Sequence, residues 1–226
     1  MKWSRGCLKL GWPLLAGLVV AGLALAAFAG LAREVCLHQA FSFDQAILNA
    51  LFALESPGLT RVMEAITASA AVPFAGLLAI LLGLWWWRTA RADALAPIVA
   101  LAGAFALNLA AKAIFARARP TLHPALVQAL GYSFPSGHSQ AALALYGTLA
   151  YLLARRVAPP RRFWIYGAGA AWTLLVGASR AYLEVHYPSD VLAAYAITLP
   201  WVLAVILAHH CLASPATRVP ASAESR

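Results

Sequence analysis

Six uninterrupted apolar stretches, separated by short polar segments, follow one another along the chain. None of them contains a lysine, arginine, aspartate or glutamate, and each is close to the roughly 20 residues with which a helix crosses a bilayer. The stretches are 10–32, 65–87, 94–111, 139–154, 163–179 and 191–208. The pattern therefore predicts an all-α fold, an integral membrane helical bundle with six transmembrane helices.

A shorter helical pattern fills the segment between the first two stretches. Apolar residues recur there at helical spacing, at Phe43, Ile47, Leu48, Leu51 and Phe52. Ser42 or Asp44 offers an N-cap, and Pro57-Gly58 ends the segment. We therefore expect a short interfacial helix around 42–55. It either lies beside a gate for lipids or packs over the outer end of the bundle, and amphipathicity does not separate the two arrangements.

Composition narrows the class of protein. Of 226 residues, 62% are hydrophobic and only 11% are charged, whereas in soluble domains roughly a quarter of the residues are charged. We expect residues 1–213 to form a single membrane domain and the small, polar tail 214–226 to be disordered. The net charge of +9 could suggest a nucleic-acid partner, but the basic residues are spread over the loops and fit orientation in a membrane instead.

The distribution of positive charge between the loops predicts the orientation. With six spans, eleven of the lysines and arginines fall on the side of the termini and six on the other side. Because cytoplasmic loops are enriched in these residues, we expect a multi-pass protein of the cytoplasmic (inner) membrane with both termini in the cytoplasm. The loops that follow the third and fifth spans then face the periplasm or exterior.

Three short strings gather polar chemistry on that outer side. They are KAIFARARP at 112–120, PSGH at 135–138 and SRAYLEVHYPSD at 179–190. Charged groups near a bilayer are costly and usually functional. In the first string, Lys112 and Arg119 lie seven residues apart, so they share a face if the third helix continues through them. Taken alone, two such cations after a span are more often interface anchors.

The second and third strings add groups that can attack and can transfer a proton. Gly137 allows close approach to the start of the fourth helix, where exposed N–H groups favour an anion, and Ser136 adds a hydroxyl donor. His138 is placed to exchange a proton at neutral pH. His186 and Asp190 are four residues apart, and a carboxylate that accepts from one imidazole nitrogen leaves the other nitrogen free to attack.

Each string alone also has an ordinary structural explanation: an anchor, a capped helix start, or a histidine–aspartate bond that joins two helix ends. Together, however, the strings hold three cations for a tetrahedral anion, one histidine that can attack phosphorus and a second that can protonate the leaving oxygen. This set is sufficient for covalent phosphoryl transfer without a metal ion.

The order K-x6-R-P, P-S-G-H and S-R-x5-H-x3-D resembles the signature of the type 2 phosphatidic acid phosphatase family, part of the lipid phosphate phosphatase and vanadium haloperoxidase superfamily. The resemblance implies that His186 is the nucleophile that forms a phosphohistidine and that Asp190 orients it. His138 would protonate the leaving group and later activate water. The resemblance also implies a clamp for the substrate phosphate, formed by Lys112, Arg119, Ser136, Gly137 and Arg180. We therefore expect an enzyme that hydrolyses a lipid phosphomonoester or diphosphate.

Several alternatives stay open at this point. A lipid or anion transporter could use the same cationic site without hydrolysis. A metal-dependent hydrolase could use His138, His186 and Asp190 as ligands, although the neighbouring cations oppose a bound divalent ion. Arg117 and His123 could contact a second phosphate, although unpaired loop cations are usually solvated.

The expected partners are a lipid phosphate and the bilayer. We expect no nucleic acid, cofactor, metal or obligate protein partner. The lipid is open between phosphatidate, phosphatidylglycerophosphate, undecaprenyl diphosphate and the phosphates of a lipopolysaccharide anchor.

Overall fold

The computed structural model describes residues 11–37 and 41–213, and within these ranges the chain forms helices and their connections, with no strand. The helices are Gly11–Cys36 (α1), Ser42–Phe52 (α2), Pro57–Ala68 (α3), Val72–Trp86 (α4), Arg91–Phe115 (α5), Gly137–Ala142 (α6), Thr148–Ala154 (α7), Pro159–Tyr182 (α8) and Pro188–Leu212 (α9). A short π-helical segment, Leu143–Gly147, joins α6 to α7 without a break. The predicted all-α fold is confirmed, while the tail 214–226, for which disorder was predicted, lies outside the described residues.

Long apolar helices form the membrane part of the protein. By length and hydropathy, α1, α5 and α9 can each cross a membrane. α3 and α4 together can form a fourth crossing, although they are bent by 45° at the break between them. The unit of α6, the π-helical segment and α7 occupies the position of the predicted fourth span, and α8 that of the fifth. The chain is therefore an integral membrane protein.

The second span is not the continuous helix that the sequence predicts over 65–87. α3 ends at Ala68, and the hydroxyl of Ser69 bonds back to the carbonyl of Ile66 at 2.7 Å. α4 begins only at Val72 and has Pro73 in its first turn, where the missing N–H has no helical partner to lose. The Ser69 hydrogen bond and Pro73 thus divide the predicted span into two helices. The sequence shows no charged residue at the break.

α9 lies at the centre of the bundle, in contact with α1, α5, α6 and α8. Glycines at two of these contacts let bulky side chains approach the neighbouring backbone. The indole of Trp201 covers Gly103 and donates to the carbonyl of Ala100 at 3.1 Å, and the phenol of Tyr195 covers Gly177. Close approach of this kind is how helices pack in a membrane, where apolar surfaces gain little by leaving lipid.

α2 is the short helix that the sequence predicts around 42–55. It packs against α8 and α9, with Leu48 and Asp44 buried on its inner face. Phe41 is the N-cap residue, so neither Ser42 nor Asp44 caps the helix, and the carboxylate of Asp44 bonds to α9 instead. α2 therefore covers one end of the bundle, while a role as a gate for lipids stays a prediction.

Polar side chains collect at the two ends of the bundle. At one end, the start of α6 bonds to the start of α9, and the segment after α5 bonds to the segment after α8. At the opposite end, Asp93 at the start of α5 pairs with Arg156, just after α7, and with His209 near the end of α9. All three motif strings therefore lie at the same end, as predicted.

Candidate active site

The segment between α8 and α9 places a histidine beside a carboxylate. Nδ1 of His186 lies 3.5 Å from Oδ2 of Asp190. The same oxygen accepts from the Tyr187 N–H at 2.9 Å and from the Ser133 hydroxyl. Pro188 starts α9 here, so Asp190 sits in the first turn and accepts from the backbone of the N-cap residue. The carboxylate is thus fixed by several donors while it faces the imidazole.

Both members of this pair are buried, with His186 2% exposed and Asp190 0% exposed. Burial lowers the pKa of His186 to about 4, although the hydrogen bond and charge of Asp190 act in the opposite direction. The imidazole is therefore neutral at pH 7. When its Nδ1 carries the proton toward Asp190, the lone pair of Nε2 is available for attack.

Arg119 lies next to that second nitrogen. Its Nη1 is 3.4 Å from Nε2 of His186 and donates to the carbonyl of Val185 at 2.6 Å. Its Nε and Nη2 donate to the carbonyls of Gly131 and Leu130 at 3.0 and 2.7 Å. Burial lowers the pKa of this guanidinium, but arginine stays charged in proteins. The structure thus places a cation where a phosphate attacked by Nε2 would lie.

Lys112 and Arg119 do not share a face of α5, because the helix does not continue through Arg119. α5 ends at Phe115, and Ala116 takes a left-handed conformation with a φ of 44°. Lys112 therefore projects from the last turn of the helix, while Arg119 follows in the irregular segment beyond it. The helix stops before Pro120 because the backbone reverses its twist at an alanine, which has no sequence signal for this conformation.

The other two cations of the predicted clamp come from α5 and α8. Nζ of Lys112 donates to the carbonyl of Tyr132 at 2.5 Å. Arg180, in the last turn of α8, is 5% exposed and donates to the hydroxyl of Thr67 at 2.9 Å. Its Nε has no partner among the described residues. A buried guanidinium with an unused donor is suited to bind an anion.

The PSGH string is attached to the same end of the bundle. Ser136 is the N-cap residue of α6, and its N–H donates to the carbonyl of Asp190 at 3.2 Å. Its side chain is fully buried and accepts from the hydroxyl of Ser139 at 2.9 Å. Gly137 and His138 begin α6. The His138 ring lies close enough to Lys112, Arg119 and Arg180 to interact with their charges. The structure therefore gathers all eight predicted site residues around one region.

An apolar cavity of about 280 Å³ opens beside this region, between α4, α5 and α6. Gly137 and His138 line one part of it, together with Asn108 and Gln140. The amide of Asn108 donates to Oε1 of Gln140 at 2.6 Å and to the carbonyl of Pro135 at 3.1 Å. Most other lining residues are small and apolar. The cavity is therefore mostly apolar and has polar groups of the site on one part of its wall.

The structure also shows polar residues that sequence reasoning did not place in the site. Arg117 donates to Asp190, Ser189 and Asp44 at 2.6, 2.8 and 3.2 Å. The Ser133 hydroxyl contacts both His186 and Asp190. Arg117 carried one signal, its position among the cations of the first string. Asp44 and Ser133 carried none, because their partners are far away in the sequence.

The alternative in which Arg117 and His123 contact a second phosphate is not supported. Both terminal nitrogens of Arg117 are bonded to carboxylates. The ring of His123 stacks on Phe52 at 4.0 Å between centroids and bonds through Nε2 to Oδ1 of Asn49 at 2.9 Å. His123 thus fastens the segment after α5 to α2.

Comparison with known proteins places the chain among related sequences. The model of the PAP2 superfamily matches residues 93–212, which include all three motif strings. Phosphatidylglycerophosphatase B of Bacillus subtilis (strain 168) is 32% identical over 173 residues, which cover 75% of this chain and 84% of that protein.

Solved structures show the same similarity. The crystal structure of a transmembrane PAP2-type phosphatidylglycerolphosphate phosphatase from Bacillus subtilis superposes with a TM-score of 0.74 at 30% identity, over 82% of this chain and 93% of that chain. The crystal structure of Aquifex aeolicus LpxE superposes with a TM-score of 0.59 at 20% identity, over 74% of this chain and 96% of that chain. The second match is a likeness of fold.

Proposed function

Because the chain belongs to the PAP2 superfamily, we propose that it is a membrane lipid phosphatase that works through a covalent phosphohistidine intermediate and without a metal ion. The observation that carries the proposal is the buried pair of His186 and Asp190, with Arg119 beside the nitrogen that faces away from the carboxylate. A neutral imidazole held from one side can attack phosphorus from the other.

In the first step, His186 takes the place of the lipid on the phosphoryl group. The lone pair of Nε2 forms the P–N bond as the P–O bond to the lipid breaks. The negative charge of the bound phosphate favours the protonated form of His138. The protonated ring donates a proton to the departing oxygen, so the lipid leaves as an alcohol, or as a monophosphate when the substrate is a diphosphate. Asp190 stabilises the charge that develops on the imidazole, because its Oδ2 faces Nδ1.

In the second step, water releases the phosphate. His138, now neutral, takes a proton from the water molecule while the water oxygen bonds to phosphorus. The electron pair of the P–N bond returns to Nε2 of His186, and inorganic phosphate leaves. The same imidazole thus acts first as an acid and then as a base, which returns the enzyme to its starting protonation state.

The clamp stabilises the charge of the transition state. Lys112, Arg119 and Arg180 supply three cations from three different elements, and Ser136 and the Gly137 amide add neutral donors. Charge on the phosphoryl oxygens needs donors that are already in position when the reaction begins. The engagement of Arg119 and Lys112 with backbone carbonyls supports this role, because it limits how far either cation can move.

Metal independence rests on the chemistry of the carboxylate. Both oxygens of Asp190 already accept hydrogen bonds, Oδ1 from Arg117 and Oδ2 from Ser133 and the backbone. A divalent ion would have to displace these donors and lie among several cations. The charges of the clamp perform the neutralisation that a metal would otherwise provide.

The cavity supports a lipid as the substrate. An apolar space beside His138 can accept an acyl or prenyl chain while the phosphate lies against the clamp. Phosphatidate, phosphatidylglycerophosphate and undecaprenyl diphosphate all fit this description, and the name of the Bacillus subtilis relative favours phosphatidylglycerophosphate as the first to test.

The same proposal includes the orientation of the protein, with both termini in the cytoplasm and the site at the periplasmic or exterior surface. Four of the six basic residues on the site side are part of the site network, which leaves Arg33 in the last turn of α1 and Arg61 in α3 as the other two. When the four residues of the site network are set aside, two basic residues remain on the site side and eleven lie on the side of the termini. The difference in positive charge between the two sides is therefore larger, as the positive-inside rule expects.

The experiment that tests the proposal measures phosphate release by the purified full-length protein in detergent, with and without a strong chelator. Phosphatidylglycerophosphate, phosphatidate and undecaprenyl diphosphate are compared, with His186→Ala as the inactive control. We expect release that survives the chelator and disappears in the variant. Activity that is lost with the chelator and restored only by Zn²⁺ would refute metal independence, and absence of release from all three lipids would favour a transporter.

A further inference from the structure

Arg117 occupies a buried position between two carboxylates. The left-handed turn at Ala116 directs the chain away from the axis of α5, and the Arg117 side chain, 14% exposed, enters the space between α2 and α9. Its Nη1 donates to Oδ1 of Asp190 at 2.6 Å, and its Nη2 donates to Oδ2 of Asp44 at 3.2 Å. One guanidinium is therefore shared between two buried carboxylates.

Asp44 has further bonds that hold it in place. Its two oxygens accept from the backbone N–H and the hydroxyl of Ser189, at 2.7 and 2.5 Å. The hydroxyl of Ser189 also accepts from Arg117 at 2.8 Å. The guanidinium lies over the ring of Tyr187 at 4.0 Å, a distance at which a cation is attracted to an aromatic face. α2 is thus joined to the start of α9 through a closed ring of hydrogen bonds.

The two oxygens of Asp190 therefore have separate tasks. Oδ1 is bonded to Arg117, while Oδ2 is the oxygen that faces His186. Arg117 holds Oδ1, while Ser133 and the Tyr187 N–H hold Oδ2, so Arg117 is one of three groups that determine which oxygen the imidazole meets. Its positive charge also offsets the negative charge of Asp190, and so limits how readily the pair takes up a proton.

We propose that Arg117, held by Asp44 on α2, is a positioning residue for the His186–Asp190 pair. It is not a phosphate ligand, because its terminal nitrogens are already bonded to carboxylates. Removing it leaves two buried acids without this counter-charge, and it leaves Oδ1 of the catalytic carboxylate without a bonded donor. α2 therefore contributes to catalysis from outside the phosphate clamp. The inference rests on the proposed function, since it concerns the nucleophile of that reaction.

The test is a pH–rate profile measured on matched variants. Charged and titratable groups from every neighbouring element act on the pair: Asp44, Lys112, Arg117, Arg119, His138, Arg180 and Tyr187. Of these groups, Arg117 and Asp44 are changed, and one substrate, short-chain phosphatidate, is used throughout. The titration of the substrate phosphate is then the same in every profile. Any difference in pH dependence between variants therefore comes from groups of the enzyme.

In Arg117→Met, we expect kcat to fall roughly 10- to 100-fold with little change in KM. This is the range found when a residue that orients a metal ligand is removed, and we expect a similar effect for a residue that orients a catalytic carboxylate. The acidic limb of the profile should move to higher pH by roughly one unit or more, because a nearby cation has been removed. In Asp44→Asn, the limb should move to lower pH, because Arg117 then neutralises Asp190 alone. The double variant should return the limb close to its original position while kcat stays low.

Two further variants keep the inference falsifiable. The exposed Arg61 provides the matched control, and Arg61→Met should behave as the wild type. Arg117→Lys keeps the charge but cannot bond both acids as a guanidinium does, so kcat should fall while the acidic limb stays in place. This variant and Asp44→Asn carry the test if Arg117→Met does not fold.

The outcomes separate the inference from the proposed function. An Arg117→Met protein with wild-type kcat and an unmoved acidic limb would overturn the inference. So would variants that lose only folded protein, with the remaining fraction showing the wild-type profile. A wild-type protein that releases no phosphate would instead overturn the proposed function.

Discussion

Nδ1 of His186 faces Oδ2 of Asp190 at 3.5 Å inside a buried region where the second oxygen of the carboxylate is already bonded. The imidazole thus contacts the aspartate on one side, and the aspartate is held by Arg117, Ser133 and the Tyr187 N–H. Three clamp cations approach from α5, the segment after it, and α8. The arrangement predicts how the enzyme should respond when each part is changed.

Asp190→Asn should lower kcat by about four orders of magnitude, as in other enzymes where the acid behind a catalytic histidine becomes an amide. The amide can still fill the space but can present an N–H to the imidazole, which favours the wrong tautomer. Steady-state phosphate release measures the effect, and Glu64→Gln on the exposed face of α3 is the control. A reduction similar to that of Glu64→Gln would show that the pair has only a structural role.

The cavity should discriminate by the length of the lipid chain. Gly76 lines it, and a Cβ added there meets no atom within 4 Å, so we expect the side chain of Gly76→Leu to extend into the cavity without disturbing the fold. We expect KM for a long-chain phosphatidate to rise about tenfold, the effect of losing one well-filled apolar contact, while hydrolysis of a soluble aryl phosphate is unchanged.

Gly22→Leu on α1 is the matched control, because that glycine is exposed and also meets nothing within 4 Å. It should leave KM for both substrates as in the wild type. Equal effects of the two substitutions, or an equal loss on both substrates, would show that the cavity does not hold the lipid chain.

Glu184 should make the protein less stable as the pH rises. Its carboxyl is fully buried, and neither oxygen has a partner among the described residues. Burial raises its pKa to about 7, whereas in an unfolded chain the value is about 4.3. Between these values the folded protein keeps a proton that the unfolded chain has lost, so stability declines as the pH rises through this range. Glu184→Gln should remove this part of the decline in thermal midpoint between pH 5 and 8; parallel curves would contradict it.

The backbone at the same position gives an independent prediction. Glu184 has a φ of 59°, in the left-handed region that costs other residues roughly 1 kcal/mol relative to glycine. Glu184→Gly should therefore raise the free energy of unfolding by about 1 kcal/mol or more. Glu64→Gly, within α3, should lower it by a similar amount. A loss of stability at position 184 would show that the packing of the buried Glu184 side chain outweighs the strain of its backbone.

The network at the opposite end of the bundle should affect stability without affecting catalysis. Asp93 accepts from His209 at 2.6 Å and from Arg156 at 2.5 Å, which joins the ends of α5, α7 and α9. Asp93→Asn should cost about 1.5–3 kcal/mol, the usual effect of losing hydrogen bonds to a charged group. Thermal unfolding and kcat are measured on the same sample. A reduced kcat in fully folded protein would show that the two ends are coupled.

The parts of the fold that sequence analysis predicted are those that local patterns determine. Charge-free stretches marked the membrane helices, and the three strings marked the end of the bundle where the site lies. The break between α3 and α4 was not predicted, because Ser69 and Pro73 interrupt a stretch that stays apolar throughout. The end of α5 was also missed, since Ala116 is an ordinary helix former.

The site was predictable as a set of residue types but not as a set of contacts. His186 and Asp190 are close in sequence, so their spacing was informative. The partners of Arg117 are each 72 or more residues away, and such contacts depend on how separate helices pack. The sequence left open whether Arg117 contacts a second phosphate, and the structure pairs it with two carboxylates instead.

The most direct measurement of the central claim is the site of covalent phosphorylation during turnover. His138→Ala is incubated with p-nitrophenyl phosphate, whose leaving group needs no proton, and the products are followed by nitrophenolate release and by peptide mass spectrometry at neutral pH. The account predicts a burst of one equivalent of nitrophenolate and phosphate on His186, because the first step proceeds and the second lacks its base. Phosphate on another residue, or turnover by this variant with no covalent intermediate, would contradict the account.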